Sequence, residues 1–518
     1  MYEGIICMRK SKLILMLLAV VLIFTSCGGN GGTGSTDNDK GGVITLQMRE
    51  CDSFNPLAVT HHSSRDVLSL CYEPLFRVND TIEAEGVLAQ SIDISDDCMT
   101  AIINLKDSVL WHDGIKFTSN DVIHTMSLLK DNPNWEYSDC VKYIDSAVAI
   151  DALSLRINLT KPYGQIAHSL TFPIVTYTNG ELDSKIVGTG PYMFSAYTPS
   201  STLELVKNTS WHGGEAICKK INISIIRDNN AVTTAFNTGL LSAVTDNSFD
   251  LENNTPKINT KTHSYPTSEF EYMALNHNRG VFVSQAVRCA VSYAIDRSDI
   301  VKNCYQNEAV AVNAPIHPSA QNVTESSILS QYSLANASEM LFLEGYTLDQ
   351  NTRLLKDENG NVLSFSILVN EENLPRTKTA EVLAKHLFAA GIDVRVVSLP
   401  FDEYLERIKN GEFDAYLGGV RLRNFYDFEA LLREGGSLNN YGYKSEFMDL
   451  ALNAINSSRG NDSLSDALFN FEEVFLREQP ILGLVFRNRV LLTAENIKGE
   501  ITPDVNTPYK NIHSWSVN

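Results

Sequence analysis

Residues 362–418 read VLSFSILVNEENLPRTKTAEVLAKHLFAAGIDVRVVSLPFDEYLERIKNGEFDAYLG. The stretch alternates between apolar, β-branched runs of strand length and amphipathic runs of helical period. It predicts, in order, the strand Val362–Val369, a helix with its apolar stripe at Ala380, Leu383, Ala384, Leu387 and Phe388, the strand Val394–Leu399, the helix Phe401–Lys409 and the strand Phe413–Leu417. Gly391 and Gly411 follow the two helices, where glycine commonly ends a helix. The β-α-β-α-β order indicates a parallel sheet joined by right-handed crossovers.

The segment Gly418–Phe428 follows the last of these strands and is predicted to be a loop. In open α/β sheets, ligands bind beyond the carboxyl ends of the strands. This loop is therefore expected to face a ligand. It carries Arg421 and Arg423, whose planar guanidinium groups can bind a carboxylate through two parallel hydrogen bonds.

Length and charge limit the classes of protein that need to be considered. A chain of 518 residues is too long for one hydrophobic core, which predicts two or three domains. The composition, 43% apolar and 20% charged, is that of a soluble globular protein. A net charge of −20 without a long run of Lys and Arg argues against nucleic acid as the main partner and against a broad anionic-membrane footprint. A small basic pocket can still lie inside an acidic protein.

The N-terminus has the layout of a secretory signal peptide over residues 1–26. A basic head is followed by the apolar run Leu13–Phe24, which is shorter than the roughly 20 residues that span a bilayer. The run ends in Phe24-Thr25-Ser26-Cys27, which resembles the bacterial lipobox and implies a lipid on Cys27. The alternative is a plain signal peptide with a chance cysteine. Residues 27–42 are predicted to form the lipidated cysteine and a flexible, glycine-rich linker.

The cysteines beyond Cys27 are odd in number, widely spaced and free of any C-x-x-C pair, which argues against both a disulfide framework and a zinc site. They are predicted to be small buried hydrophobes, with one disulfide left possible: Cys51, Cys71, Cys98, Cys140, Cys218, Cys289 and Cys304.

Five short motifs follow one another along the rest of the chain. They are SFNP (53–56), LCYEPL (70–75), LWHDG (110–114) with FT (117–118) and DV (121–122), GTGPY (188–192), and VRCA (287–290) with AIDR (294–297). In this order and spacing they resemble family 5 of the bacterial extracellular solute-binding proteins, the peptide- and nickel-binding components of ABC importers. The resemblance covers nearly everything after about residue 45.

The resemblance implies an α/β, two-lobed periplasmic-binding-protein fold of the large three-domain type (class II), with mixed sheets in each lobe and a hinge. Domain I is expected to be discontinuous, built from 43–65, 186–268 and 485–518. An inserted domain II is expected over 66–185, and domain III, the second lobe, over 269–484. A solute would be captured between the lobes by hinge closure.

Several residues that suggest chemistry have simpler structural interpretations. Trp111–Gly114 is predicted to form a tight hairpin turn with a packed indole. Arg288 is predicted to take part in a structural ion pair, and Asp296 to cap a helix. No G-x-S-x-G, H-E-x-x-H or phosphate-binding glycine loop occurs. The expectation is therefore a protein that is not an enzyme and has no cofactor and no assigned metal-binding residue, while the sequence leaves open whether a metal takes part in ligand binding.

Two segments are predicted to contact the solute. His61 and His62 lie where relatives touch their ligand, although a solvated polar loop would also explain them. In peptide-binding relatives an Asp of the other segment binds the ligand's amino terminus, and Arg423 aligns with that Asp here. An alignment slip that places Asp427 there is the alternative. The candidate ligand-binding residues are His61, His62, Arg421, Arg423, Asn424, Tyr426, Asp427 and Tyr441.

Four inward-pointing side chains, two histidines and two arginines, would make a locally basic pocket suited to an anionic, peptide-like or chelate solute. The simpler interpretation is that both arginines are solvated or paired with Asp427 and Glu429. The predicted function is that of a substrate-binding lipoprotein that delivers a small solute or oligopeptide to an ABC permease. The alternatives are a sensor or adhesin with the same fold, or binding of a nickel-type metal chelate.

The expected protein is a monomer that is held at the membrane only by its lipid and binds no nucleic acid. Its expected location is extracytoplasmic, in the periplasmic space of a Gram-negative cell or on the outer face of a Gram-positive plasma membrane.

Overall fold

The structure, a computed structural model, describes residues 42–49, 53–177, 185–246, 256–321, 324 and 331–518. The predicted signal peptide, Cys27, the linker up to residue 41, and Cys51 lie outside the described residues. No helix of the described part is both long and apolar enough to cross a membrane.

Strands β1–β21 are, in chain order, Val43–Met48, Phe76–Val78, Ala84–Gly86, Ala89–Ile94, Thr100–Leu105, Ile144–Asp151, Ser154–Leu159, Tyr192–Thr198, Thr202–Lys207, Lys220–Ile225, Ala243–Thr245, Thr260–Leu275, Ala309–Ala311, Thr347–Leu348, Leu355–Lys356, Ser364–Asn370, Asp393–Leu399, Ala415–Arg421, Ile481–Ala494, Ile497–Lys498 and Ser516–Val517.

Helices α1–α12 are His62–Leu68, Ser119–Asp131, Ile166–Ser169, Asn229–Asn237, Gln285–Tyr293, Arg297–Cys304, Leu334–Leu343, Leu374–Ala389, Phe401–Lys409, Glu429–Leu432, Glu446–Ser457 and Gly460–Glu478. Short 3₁₀ turns occur at Ser138–Val141, Gly280–Val283 and Ile512–Ser514.

The larger sheets of the described chain have the orders β1-β10-β9-β8, β4-β5-β7-β6 and β11-β19-β12-β18-β16-β17, with β13 added to β19. The first two sheets share one hydrophobic core with residues near the C-terminus. Two further cores are built mainly from side chains within residues 270–486. We call the described parts of 42–265 and 489–518 the first lobe, and those of 270–486 the second lobe. The predicted domain boundaries within and between these lobes remain predictions.

The β-α-β-α-β segment folds as its sequence predicts, with β16 pairing in parallel with both β17 and β18. Helix α9 spans the predicted residues, with acidic side chains in its first turn and basic ones in its last, as the helix dipole favours. Gly391, at φ +84°, follows α8. Phe388 is a correction, because it is 53% exposed and so does not belong to the buried stripe.

The last strand of this segment is longer than predicted. It was expected to end at Leu417, but β18 continues to Arg421 because it pairs antiparallel with β12 as well as parallel with β16. Gly418–Arg421 is therefore strand rather than loop, and Arg421 lies opposite Glu269 in the ladder.

Strands β12 and β19 connect the two lobes. They pair antiparallel with each other from Thr260–Ala494 at one end to Ala274–Ile481 at the other. The register shifts between Pro266 and Phe270, where the first lobe gives way to the second. Proline cannot donate to a ladder, and such interruptions bend a strand. This interruption is the natural place for a hinge.

Two of the sequence motifs bond to each other in the first lobe. His112, in the turn closed by Gly114 at φ +85°, donates from Nε2 to the Gly190 carbonyl oxygen, and its Nδ1 accepts from the Gly188 amide. A Cβ on Gly188 would lie 1.8 Å from the carbonyl oxygen of Cys71. The predicted turn and the packed Trp111 indole, 2% exposed, are confirmed.

The described cysteines are all buried and none of them forms a disulfide, as expected for small hydrophobic residues. Asp296 caps α6 by accepting from the amides of Ser298 and Asp299, as predicted. The ion pair predicted for Arg288 is wrong. Its guanidinium instead donates to the backbone carbonyls of Phe282, Val283, Glu478 and Gln479.

Arg288→Met should lower the free energy of unfolding by about 2–4 kcal/mol, because it leaves several buried carbonyl groups without donors. The control is Arg395→Met, which removes an exposed arginine from β17 and should change stability by less than about 0.5 kcal/mol. Chemical denaturation of both variants measures the difference. Equal midpoints would show that the Arg288 contacts contribute nothing to stability.

Candidate ligand-binding site

The candidate site lies in the cleft between the lobes, where β18 faces helix α1. Arg421 ends β18, and Arg423 follows it in the second lobe. Arg65 projects from α1 in the first lobe, three residues after His62 and so on the same helical face. We call Arg65, Arg421 and Arg423 the arginine cluster. The sequence predicted that Arg421 and Arg423 share a pocket, but it did not predict that Arg65 joins them.

A single carboxylate, that of Glu136, contacts all three members of the arginine cluster. Arg421 Nη1 lies 2.5 Å from Glu136 Oε1, and Arg65 and Arg423 also pair with this side chain. Glu136 comes from the loop before the 3₁₀ turn Ser138–Val141, in the predicted inserted domain. Its neighbour Tyr137 stacks under the Arg423 guanidinium, 4.8 Å from the ring centroid. The cleft is therefore closed by an ion pair between the lobes.

His62 is placed between two members of the arginine cluster. Arg421 Nη2 lies 3.2 Å from its Nε2, and Arg65 Nη2 lies 3.0 Å from its Nδ1. A neutral imidazole accepts at only one nitrogen, so only one of these contacts is a hydrogen bond. Burial, followed by the charges of Arg421 and Arg65, lowers the pKa of His62 to about 3. His62 is thus neutral at physiological pH. One of its ring nitrogens carries the proton and nevertheless faces an arginine N–H, from which it cannot accept a hydrogen bond.

A second row of charges supports the arginine cluster from the crossing strands. Glu269 of β12 accepts from Arg421 at 3.1 Å and lies 3.3 Å from Arg487 of β19. Burial raises the pKa of Glu269, but Arg487 and Arg421 outweigh it and hold that pKa below its ordinary value. Glu269 is therefore ionised and fixes Arg421 in the cleft.

Arg489, also on β19, lies 3.3 Å from Asp246 and 4.0 Å from Asp66. Burial raises the pKa of Asp66, and nearby arginines only partly offset this. These ion pairs join five arginines with four carboxylates: Arg65, Arg421, Arg423, Arg487 and Arg489 with Asp66, Glu136, Asp246 and Glu269. A further carboxylate, Asp504, also lines the cleft and lies 3.3 Å from the Lys510 ammonium.

The space enclosed by these groups is small. The cleft cavity has a volume of about 140 Å³ and is lined by His62, Arg421, Arg423, Arg489 and Tyr137, among others. A buried water needs roughly 10–15 Å³ measured in this way, so the cavity has room for about ten waters. It is a site for a small solute, or for the charged end of a larger one, in this closed form.

Of the predicted residues, His62, Arg421 and Arg423 come together at the cleft cavity. His61, next to His62, does not line it, and its Nδ1 contacts the Ser63 hydroxyl at 3.1 Å. Asn424 also lies outside it, and its side-chain oxygen finds no hydrogen-bond donor among the described residues.

The other predicted residues do not line the cleft cavity either. Tyr426 is packed edge-on against His168 beside a separate cavity, and Tyr441 is fully buried in the second lobe, donating its hydroxyl to the Leu431 carbonyl. Asp427 lies 2.7 Å from the Lys142 ammonium of the first lobe and accepts from the Tyr143 hydroxyl. Ligand contact by these residues remains a prediction.

The arginines do not pair with Asp427 and Glu429, which the sequence left open. Glu429 instead lies 2.5 Å from Lys161 of the first lobe and 2.9 Å from Arg433. These acidic side chains therefore form ion pairs between the lobes beside the arginine cluster. The positive charge of Arg421 and Arg423 is offset by Glu136 and Glu269 instead.

The sequence did not predict several residues of the site, among them Arg65, Glu136, Tyr137, Glu269 and Arg489. Two of them carry a recognisable signal. Arg65 follows His62 at helical spacing, and Arg489 belongs to the polar triplet Arg487-Asn488-Arg489 that interrupts the apolar run of β19. Glu136 carries none, because it lies in an irregular loop, 285 and 287 residues from Arg421 and Arg423.

Comparisons with known proteins agree with this architecture. Residues 83–440 match the model of the bacterial extracellular solute-binding proteins, family 5. The chain belongs to this family. It is 23% identical to the oligopeptide-binding protein AppA of Bacillus subtilis, over 95% of this chain and 96% of that one. It is 21% identical to the nickel-binding protein NikA of Staphylococcus aureus, over 96% and 97% of the two chains.

Among solved structures, the fold is similar to that of NikA from Brucella suis in complex with Fe(III)-EDTA. The TM-score is 0.75 at 18% identity, covering 92% of this chain and all of the other. The two-lobed fold is therefore confirmed. Among the described residues, no group of three His, Cys, Asp or Glu side chains is arranged to hold a metal ion.

Glu136→Gln should open the ligand-free protein, because it removes the carboxylate that holds Arg421 and Arg423 to the first lobe. We expect a larger radius of gyration in solution scattering. Glu434→Gln, an exposed site on the second lobe, makes the same change in net charge and should leave the scattering unchanged. If both variants scatter like the wild type, Glu136 does not hold the cleft closed.

Proposed function

We propose that this family member is the solute-binding component of an ABC importer and that its solute is a small anion with a carboxylate. The solute's carboxylate takes the place that Glu136 occupies in this structure, between Arg65 of one lobe and Arg421 and Arg423 of the other. The observation that carries the proposal is the meeting of three arginines from two lobes around one carboxylate.

The charge of the cleft supports this assignment. When Glu136 leaves, the five arginines keep only three of the carboxylates paired with them, and the cleft becomes more positive inside an acidic protein. Each charge-assisted hydrogen bond contributes roughly 1.5–3 kcal/mol, and guanidinium groups bind carboxylates through two such bonds. A solute that bridges Arg65 to Arg421 and Arg423 has more contacts in the closed form, which is the condition for closure around it.

A peptide held chiefly by its amino terminus fits the site less well. An ammonium group would be repelled by the arginine cluster. Asp427, the acid closest in sequence to the position that peptide-binding relatives use, already faces the Lys142 ammonium at 2.7 Å. The proposal therefore favours peptides or peptide-like solutes recognised by their carboxylate.

A metal chelate is a second candidate, favoured by His62. Its imidazole is neutral, and its protonated ring nitrogen faces an arginine N–H, so an acceptor placed between them, such as a carboxylate of a chelate, relieves that contact. The relatives named above include a nickel-binding protein and a structure with an iron chelate of EDTA, itself a polycarboxylate. Both candidates share carboxylate recognition by the arginine cluster.

The remaining parts of the proposal follow from the family and the N-terminal sequence. The protein is anchored outside the cytoplasmic membrane by a lipid on Cys27, acts as a monomer, catalyses no reaction and delivers its solute to a permease. A sensor or adhesin that retained the fold would lack that last step. A neighbouring set of permease and ATPase genes distinguishes the two.

Binding should depend on the carboxylate and not on the ammonium of a probe. The probes are the tripeptide Ala-Ala-Phe, its C-terminal amide and its N-acetyl derivative, titrated by calorimetry. The amide should bind at least about tenfold more weakly, and the N-acetyl form about as well as the free peptide. Arg423→Ala should weaken the free peptide by at least about tenfold, whereas Arg395→Ala should not. Stronger dependence on the ammonium, or equal affinities of wild type and Arg423→Ala, would contradict carboxylate recognition.

Cys27→Ala should release the protein from the membrane fraction or leave its signal peptide uncleaved, because no thiol remains to accept the lipid. Fractionation followed by immunoblotting measures this. Cys51→Ala is the matched control and should stay in the membrane fraction. Full membrane retention of Cys27→Ala would refute the lipid anchor.

A further inference from the structure

Arg65 of the arginine cluster borders a second cavity, of about 80 Å³. We call it the proline pocket, because its apolar side is formed by Pro56, Leu68, Tyr72, Pro74 and Pro173; polar side chains, Arg77 and Thr171 among them, complete its walls. The two cavities are adjacent and share part of their lining, namely Arg65, Ser69, Tyr137, Asn506 and Thr507. A solute whose carboxylate lies at Arg65 therefore has an apolar surface immediately beside it.

The proline pocket is built entirely by the first lobe and is held in shape by its backbone. Pro74 and Pro173 form a β-bridge, and the amide of Tyr72 donates to the Leu68 carbonyl at the end of α1. Proline restricts the backbone further, and the pocket needs no residue of the second lobe. It therefore exists before the lobes close.

The pocket has the size and chemistry of a side-chain subsite. A volume of about 80 Å³ has room for roughly six waters. An apolar group of the size of a Leu or Phe side chain would replace those waters. Binding would then be favoured, because apolar surface of both the solute and the pocket is removed from water. Arg77 also lines the pocket and is only half-buried, so it could favour an acidic group instead.

We infer that the solute is an amphipathic carboxylate, with a bulky apolar group next to the carboxylate, and that this group occupies the proline pocket. This inference rests on the proposed carboxylate recognition and adds the kind of side chain that the solute carries beside its carboxylate. A peptide that ends in Leu or Phe has this arrangement. The apolar group and Arg65 engage the solute in the first lobe, and Arg421 and Arg423 then close on its carboxylate.

The test compares acetylated dipeptides that differ only in the last residue: acetyl-Ala-Gly, acetyl-Ala-Leu, acetyl-Ala-Phe and acetyl-Ala-Glu, each with its C-terminal amide. Titration of the wild-type protein should show that the Leu or Phe probe binds about tenfold to hundredfold more tightly than the Gly probe. The amides should all bind weakly. Acetylation removes the ammonium, so the comparison reports only the carboxylate and the side chain.

Thr171→Trp tests the position of the subsite. Thr171 lines the pocket and is partly exposed, so a large side chain there fills the pocket from its rim. The variant should lose most of the preference for Leu and Phe and bind the Gly probe as the wild type does. Thr171→Ser is the matched control and should keep the preference. An unfolded Thr171→Trp would leave the wild-type comparison to decide.

The outcomes separate the two proposals. Equal binding of the Gly, Leu and Phe probes, with weak binding of the amides, would refute the apolar subsite and leave carboxylate recognition standing. Tightest binding of the Glu probe would also overturn the apolar subsite, because it would show that Arg77 binds an acidic side chain there. A failure of every probe to bind at millimolar concentration, or equal binding of acids and amides, would refute carboxylate recognition and the subsite together.

Discussion

Three guanidinium groups that meet in one closed cleft repel one another unless an anion lies among them. Two like charges about 4 Å apart cost about 4 kcal/mol at the effective dielectric of a protein surface. In this structure Glu136 supplies that anion. At the arginine cluster the closed arrangement of the lobes depends on it, because Glu136 and Arg65 come from the first lobe and Arg421 and Arg423 from the second. A solute that binds here must offer a better anion than the protein's own side chain.

The hinge makes such an exchange possible. The lobes are connected by the paired strands β12 and β19, whose register is interrupted between Pro266 and Phe270. Glu269 lies within this interruption and contacts Arg421 and Arg487, so a residue of the hinge binds directly to the arginine cluster. Movement at the interruption therefore changes the position of Arg421 directly. This coupling links solute binding to the opening and closing of the cleft.

Much of the fold followed from the sequence, because its signals are local. The hydrophobic period of 362–418 predicted each strand and helix of that segment, and the glycines after the helices marked their ends. The predicted end of β18 was wrong because strand length is set by pairing with β12, which lies about 150 residues earlier in the chain. Phe388 was misplaced because its helical face is left uncovered, which no local pattern reveals.

Less of the site could be predicted. Arg421 and Arg423 were found through their place after a parallel strand, and His62 through its similarity to ligand-contacting positions. Glu136 was not found, since it reaches its partners only when two distant parts of the chain fold together. The balance of five arginines and four carboxylates is likewise a property of the folded cleft, and the net charge of the chain, −20, predicts the opposite sign.

The most direct measurement is a crystal structure of the protein with the solute that it retains during gentle purification. The account predicts a carboxylate of the solute between Arg65, Arg421 and Arg423, with Glu136 turned away from them. A solute bound through an ammonium group, or one bound while Glu136 still pairs with all three arginines, would contradict it.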